Sequence, residues 1–291
     1  MRFRYRIPES CVLEAVGFIT GLGFAVSRQP YVTVLRREGI TVSVYSTGTV
    51  ICELGPDQYS KTLKHYFENF RFDYTAYADA SLGLRLRDSW IGTDEAGKGD
   101  YFGPLVVAGV CVDAEMAAML FRSGVTDSKR LANSEIEKMA KVIETLIPRN
   151  RVEVVSISPE TFNRMYDRMQ NMNDVLIWAH SKVILNLSGK NKCRTAVVDR
   201  FFPESRAGEL QSSAGGIEII PLAHGEREIA VAAASIVASA AFTRKLLQLQ
   251  GVAGIKLPSG AGSEARSLFN SILLEKGTEF LRKVGKTSFR S

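Results

Sequence analysis

The sequence predicts an α/β fold class, a mixed sheet flanked by helices, with a small α+β unit in front of it. Three observations carry that prediction. Alternating β-branched runs crowd into residues 31–54, strands and helices take turns from residue 89 onward, and the 291 residues are 45% hydrophobic and 23% charged. This ordinary globular balance excludes a disordered chain, a collagen-like chain and a coiled coil.

In chain order, Ser10 is placed to cap a helix through Val12, Ala15, Val16 and Ile19 that ends near Gly21–Gly23. YVTVL (31–35), ITVSVYS (40–46) and TVICEL (49–54) read as strands joined by turns at Arg37–Gly39 and Thr47–Gly48. SKTLKHYFENF (60–70) reads as an amphipathic helix, so residues 1–72 form a small unit with an antiparallel sheet. Residues 73–88 lack periodicity and are expected to link it to a larger region, 89–291. That region opens with strands at Trp90–Thr93 and Leu105–Val112. Helices follow near 134–147 and 159–187, with strands at Arg151–Ile157, Thr195–Val198 and Ile217–Pro221, then an Ala-rich helix from about 229.

The formal net charge is +6, and residues 242–291, with nine basic and three acidic side chains, hold a surplus equal to all of it. A basic segment beside a near-neutral body favours a polyanionic partner such as nucleic acid. The best apolar run, Val231 to Phe242, is shorter than the roughly 20 residues that span a bilayer, so no membrane partner is expected. Four scattered cysteines form no metal or disulfide pattern. The expectation is a monomer in a reducing cytoplasm.

Acidic residues gather at strand ends. Asp94 and Glu95 follow WIGT and enter the turn DEAGKGDYFGP (94–104), Asp199 ends TAVVD, and Glu226 and Glu228 lie in HGEREIAV. Carboxylates brought close repel unless a cation lies between them, and without His or Cys ligands they suit hard ions such as Mg²⁺ or Mn²⁺. Such ions support phosphodiester hydrolysis. His180, in the apolar stretch VLIWAHSKVIL, reads as a packing or surface histidine, and Trp90 and Trp178 read as core.

DEAGKGDYFGPLVVAG (94–109), TDSKRL (126–131), VVDRF (197–201) and HGEREIAVAAASIVA (224–238), in that order, resemble the type 2 ribonucleases H. GDYFGP is similar to the ribonuclease HIII branch in particular. The resemblance implies an RNase H-like core, with residues 1–72 folded like the TATA-binding protein. It implies an endoribonuclease that hydrolyses the RNA strand of an RNA–DNA hybrid with Mg²⁺ or Mn²⁺, leaving a 5′-phosphate and a 3′-hydroxyl. It also implies a preference for runs of ribonucleotides over a single embedded one. Carried over by residue, Asp94, Glu95 and Asp199 match three metal-binding catalytic acids. His224-Gly225-Glu226 resembles the family's Lys-Gly-Asp, which makes Glu226 the fourth acid if one residue is deleted before Ser235, with Glu228 as rival. Gly97-Lys98-Gly99 matches a loop that meets the ribose edge, where close backbone approach reads 2′-hydroxyls. Asp127-Ser128-Lys129 matches a segment reaching the site, with Ser128 and Lys129 as substrate contacts. Lys286 and Thr287, in VGKTSFR, are expected on backbone phosphates.

Two alternatives stand beside this reading. Gly92 to Lys98 has the spacing of a P-loop, but Gly99 replaces the required Ser or Thr, and two carboxylates inside the loop would repel phosphates. A hybrid-binding protein without catalysis is opposed by the retention of Asp94, Glu95 and Asp199.

Overall fold

The structure is a computed structural model that describes residues 1–70, 73–86, 88–125, 128 and 131–290. Its contacts divide the chain into two units, Met1–Leu86 with Ala114–Val125, and Arg87–Asp113 with Thr126–Ser291.

In the first unit, β1 (Arg2–Arg6), α1 (Val12–Gly21), β2 (Ala25–Gln29), β3 (Val32–Arg37), β4 (Ile40–Tyr45), β5 (Thr49–Glu53), α2 (Gln58–Glu68), α3 (Tyr74–Leu82) and α4 (Ala114–Arg122) follow one another. The strands form an antiparallel sheet in the order β1-β5-β4-β3-β2. The alternation of β4 explains the packing. Ile40, Val42 and Val44 are buried in one core with Ala15, Val16 and Ile19 of α1 and Leu63 and Phe67 of α2, while Thr41, Ser43 and Tyr45 stay half-exposed.

Two of these strands escape a periodicity reading. Arginines alternate through β1 and leave Tyr5 as its one buried residue, and β2 is exposed throughout. Ser10 falls inside a 3-10 turn (Glu9–Cys11), which moves the helix cap position to Cys11. The stretch expected as a linker is helical over α3, because Asp73 accepts hydrogen bonds from the amides of Thr75 and Ala76 and so caps it.

The second unit contains β6 (Ser89–Ala96), β7 (Leu105–Asp113), α5 (Asn133–Leu146), β8 (Val152–Ile157), α6 (Pro159–Met169), α7 (Met172–Asn191), β9 (Thr195–Asp199), α8 (Ala207–Ser213), β10 (Glu218–Leu222), α9 (Ile229–Ala253) and α10 (Ser263–Val284). The single helix expected over 159–187 is two, divided where Gln170 takes a left-handed conformation. The sheet order is β10-β9-β6-β7-β8. β10, β9 and β6 run parallel, and β7 is antiparallel to both β6 and β8.

β7 is buried on both faces, and its period of two assigns each residue to a layer. Leu105, Val107 and Cys111 pack with Val183 and Leu187 of α7, while Val106 and Ala108 pack with Ala238 and Phe242 of α9. The sheet is therefore sandwiched between α7 and α9, and each fully buried aliphatic contributes about 1.5–3 kcal/mol. α9 runs for 25 residues, well beyond the apolar run seen in sequence, and is long and apolar enough by composition to cross a membrane. Most of its apolar window, 67%, is buried inside the fold, as suits a core helix. Trp90 is core as expected, but Trp178 lies on the outer side of α7 and is 42% exposed.

Candidate active site

The same strand period decides where the acidic pair points. On β6, Ile91 belongs to the α7 side, so Thr93 and Glu95 face α7, whereas Trp90 and Asp94 face α9. Side-chain partners agree with this. Thr93 Oγ1 and Glu95 Oε2 lie 2.9 and 3.4 Å from the two ring nitrogens of His180 on α7. Asp94 is hydrogen-bonded by Ser235 of α9. Two adjacent acids thus leave the strand on opposite faces.

Asp199 joins Asp94. Thr93 pairs with Val198 in the parallel ladder, so the next residue on each strand is a carboxylate. Val198 belongs to the α7 side, which turns Asp199 toward α9 along with Asp94. Asp199 Oδ1 accepts the Gly225 amide at 2.8 Å, tying the strand end to the turn that carries Glu226. Position 225 has no room for a side chain, since a Cβ there would stand 2.7 Å from Asp199 Cα.

The two rivals at 226 and 228 have different surroundings. Glu228 is fully buried and caps α9, with Oε2 accepting the amides of Ala230 and Val231 and Oε1 accepting the Trp90 indole N–H, each at 3.0 Å. Glu226 sits half-buried in a 3-10 turn, with Oε1 at 3.6 Å from His224 Nδ1.

Gly97 opens the loop after β6 at φ +84°, and a Cβ there would strike Pro104 O, so packing within the protein explains this glycine. Gly99 has open space around it. Lys98 reaches back to Glu95 Oε1 at 3.5 Å and lies 5.7 Å above the Phe201 ring. Ser128 is buried, with its hydroxyl 2.7 Å from that of Ser235 and within 3.3 Å of Ser239. It thereby continues a chain of hydroxyls that ends on Asp94. Asp127 and Lys129 lie outside the described residues. A groove of about 740 Å³ runs from Glu95 and Gly97 past Ser128 and Ser235 to Lys256 and Ser259.

Lys286 and Thr287 depart from the expectation of phosphate contacts. Lys286 is 0% exposed, with its ammonium donating to Gly103 O at 2.8 Å. Its amide donates to Tyr101 O, and the amide of Gly103 donates to Val284 O. Thr287 donates its amide and its hydroxyl to Asn163 Oδ1 at 2.8 and 3.1 Å. This segment is a clasp on the GDYFGP loop. The basic surplus of residues 242–291 is also partly used inside the fold. Arg244 pairs with Glu137 and Glu144, Arg282 with Asp167, and Lys283 with Glu279.

The electrostatics follow from these positions. Burial, then the like charges of Glu95 and Asp199, push the Asp94 carboxyl up to about 8 against the hydrogen bonds it receives. Burial also works against ionising Glu95, but His180 and Lys98 outweigh it and hold that carboxyl below its usual range. A carboxyl that resists charge because it is buried, and because anions lie near it, is relieved by a cation, which inverts the local balance. The donors are carboxylates, without thiolate, and suit Mg²⁺ or Mn²⁺. Among the described residues no three acidic, imidazole or thiol groups already surround one point that could hold an ion. Glu95 is turned toward Lys98 and His180. Sequence reasoning missed Ser235 and His180. The first was legible only as part of a small-residue helix, and the second only once α7 is known to cover the Thr93 face.

Comparisons with known proteins identify the family. A family model for ribonuclease HII matches residues 91–291. Ribonuclease HIII of Chlamydia pneumoniae is 32% identical over 270 residues, covering 90% of this chain and 88% of its own. Ribonuclease HIII of Protochlamydia amoebophila is 31% identical over 271 residues, covering 92% and 88%. Among solved structures, Bst-RNase HIII in complex with Mn²⁺ shares the fold at a TM-score of 0.65 and 24% identity, over 97% of this chain and 94% of that one. RNase HII from the PCNA complex of Archaeoglobus fulgidus is similar at a TM-score of 0.58 and 30% identity, over 69% of this chain and 93% of that one. With a family model matching residues 91–291 and relatives named ribonuclease HIII that are 31–32% identical over 90–92% of this chain, the chain belongs to the type 2 ribonuclease H family, on its ribonuclease HIII side.

Proposed function

We propose that this protein is an endoribonuclease that hydrolyses the RNA strand of RNA–DNA hybrids with Mg²⁺ or Mn²⁺, leaving a 5′-phosphate and a 3′-hydroxyl. The observation that carries this reading is the pairing of Asp94 and Asp199 at adjacent strand ends, on one face, with Asp94 buried among other carboxylates. In this reading Asp94, Glu95, Asp199 and Glu226 hold the divalent ions. Glu226 is preferred to Glu228 because both Glu228 oxygens serve the α9 cap and Trp90. Bound there, the ions supply Lewis-acid stabilisation of the phosphodiester and a more acidic water.

The chain's own groups do the positioning. Ser235 and the Gly225 amide orient Asp94 and Asp199. Lys98, 37% exposed on its side chain, neutralises Glu95 and can turn to a substrate phosphate. Gly99, with nothing near it, leaves the backbone open to a ribose, and the groove past Ser128, Ser239, Thr243 and Lys256 would take the hybrid's backbone. The four cysteines are free thiols, which supports work in a reducing cytoplasm.

The test is cleavage of a labelled hybrid with Mg²⁺, Mn²⁺ or EDTA by the wild type and by Asp94→Asn. Metal-dependent cutting within the RNA strand, lost in the variant, is expected. Binding without cutting by the wild type would overturn the reading. A duplex carrying one ribonucleotide should be cut much less well than one carrying a run of ribonucleotides.

A further inference from the structure

His180 is fully buried in the middle of α7, between two side chains of β6. Its Nε2 faces Glu95 Oε2 at 3.4 Å and its Nδ1 faces Thr93 Oγ1 at 2.9 Å. An ionised carboxylate can only accept a hydrogen bond, so the nitrogen facing it carries the proton. Nδ1 is then the acceptor, and the Thr93 hydroxyl donates to it. Phe201 stacks on the imidazole with ring centroids 4.5 Å apart and planes 25° from parallel, which fixes the ring orientation. At 3.4 Å His180 Nε2 and Glu95 Oε2 face each other, and neither makes a hydrogen bond of good geometry with any group. Their mutual contact is therefore the polar attachment each has at that end, and it is slightly long.

The two groups beside Glu95 differ in one decisive respect. Lys98 lies on an exposed loop and touches Oε1, whereas His180 touches Oε2 and is enclosed by the core. Lys98 can leave when another cation arrives, and His180 has nowhere to go. We propose that His180 is a positioning residue. Held by Thr93 and Phe201, it fixes the Oε2 edge of Glu95 and leaves Oε1 as the oxygen offered to a divalent ion. This role rests on the reading of Glu95 as a metal ligand. It also answers the problem set by the strand period, since Glu95 leaves β6 on the face away from Asp94 and needs a partner in the α7 layer to hold it at the sheet's end.

Two measurements on the full-length protein test it. Long-range ¹H–¹⁵N correlation spectra of the metal-free wild type read the tautomer of each of its three histidines. His65→Gln and His224→Gln, both at exposed positions, assign the His180 ring by elimination. An Nε2-protonated ring with unprotonated Nδ1 is expected, and an Nδ1-protonated tautomer would overturn the proposal. Calorimetric titration with Mn²⁺ alone then compares the wild type with His180→Phe, which keeps the stack on Phe201, and His180→Gln, which keeps a donor amide. Loss of an outer partner of a metal ligand weakens metal affinity by about 10- to 100-fold. That loss is expected in His180→Phe, with KM for the hybrid unchanged and part of the affinity recovered in His180→Gln. Should His180→Phe fail to fold, Thr93→Val carries the same comparison with a smaller expected loss, about 3- to 10-fold. Wild-type Mn²⁺ affinity in the folded variants overturns the positioning role alone. A wild type that binds no Mn²⁺ overturns the metal reading, and the positioning role with it.

Discussion

Glu226 and Glu228 lie two residues apart, and removing each should damage a different property. In Glu228→Ala, three donors lose their acceptor, the Trp90 indole N–H and the amides of Ala230 and Val231, each bonded at 3.0 Å. Loss of a helix cap costs roughly 1 kcal/mol, within a range of about 0.5–2. A buried indole N–H that loses its Glu228 acceptor adds about 1–3 kcal/mol. With the void left by the side chain, the total comes to roughly 3–5 kcal/mol. For a domain near 200 residues, each kcal/mol lowers Tm by about 2–4 °C, so a fall of roughly 6–20 °C is expected. At a temperature well below its transition, Glu228→Ala should still cut a hybrid. Glu226→Gln, in a half-exposed turn, should melt within about 2 °C of the wild type and lose cleavage by more than about 100-fold. Paired melting curves and single-turnover cleavage of a labelled hybrid give both numbers from one preparation. If Glu228→Ala melts like the wild type and is the variant that stops cleavage, the assignment of cap and ligand is reversed and the reasoning from the α9 amides is refuted.

Other outcomes follow from the same geometry. Asp199→Asn should keep its fold and its affinity for the hybrid but lose cleavage by more than about 100-fold, and full activity would remove Asp199 from the site. Gly225→Ala forces a Cβ to within 2.7 Å of Asp199 Cα, so kcat should fall by about 10- to 100-fold through displacement of that carboxylate, with a normal circular dichroism spectrum. Burial lowers the Lys286 ammonium from 10.5 to about 7, so from pH 7 to pH 10 the unfolded chain holds a proton that the native one has released. Native stability should therefore rise with pH across that window, by up to about 1.4 kcal/mol per unit from this group. Lys286→Met should flatten the slope in denaturant titrations at pH 7, 8 and 9, and an unchanged slope would mean that Lys286 does not titrate there.

What could be read from the sequence divides along physical lines. The strand-end positions of Asp94, Glu95 and Asp199 were legible because an apolar run that ends in an acid is a local pattern, and the alternation of β4 and the apolar run of β7 were legible for the same reason. The choice between Glu226 and Glu228 was not, because it depends on Trp90, which lies 138 residues away in the chain. His180 read as packing because its surroundings in sequence are apolar, and only the layer order of the sheet shows that α7 covers the Thr93 and Glu95 face. Lys286 looked like a surface cation in a basic segment, yet the carbonyl that receives it belongs to a loop at the other end of the unit. β1 and β2 carry too little buried surface to leave an alternating signal, and α3 depends on the Asp73 cap rather than on an apolar stripe.

Gly103 and Lys286 are 183 residues apart in the chain. Closing so long a span is slow compared with forming the hairpin of β6 and β7, so the turn beside the acidic pair takes its final shape late. While the chain is still emerging from a ribosome, Asp94 and Glu95 are present and paired into a sheet long before the residues that brace them have been made. A chain that ended between Glu228 and Lys286 would carry every candidate acid yet lack the residue that braces the turn beside the first two of them.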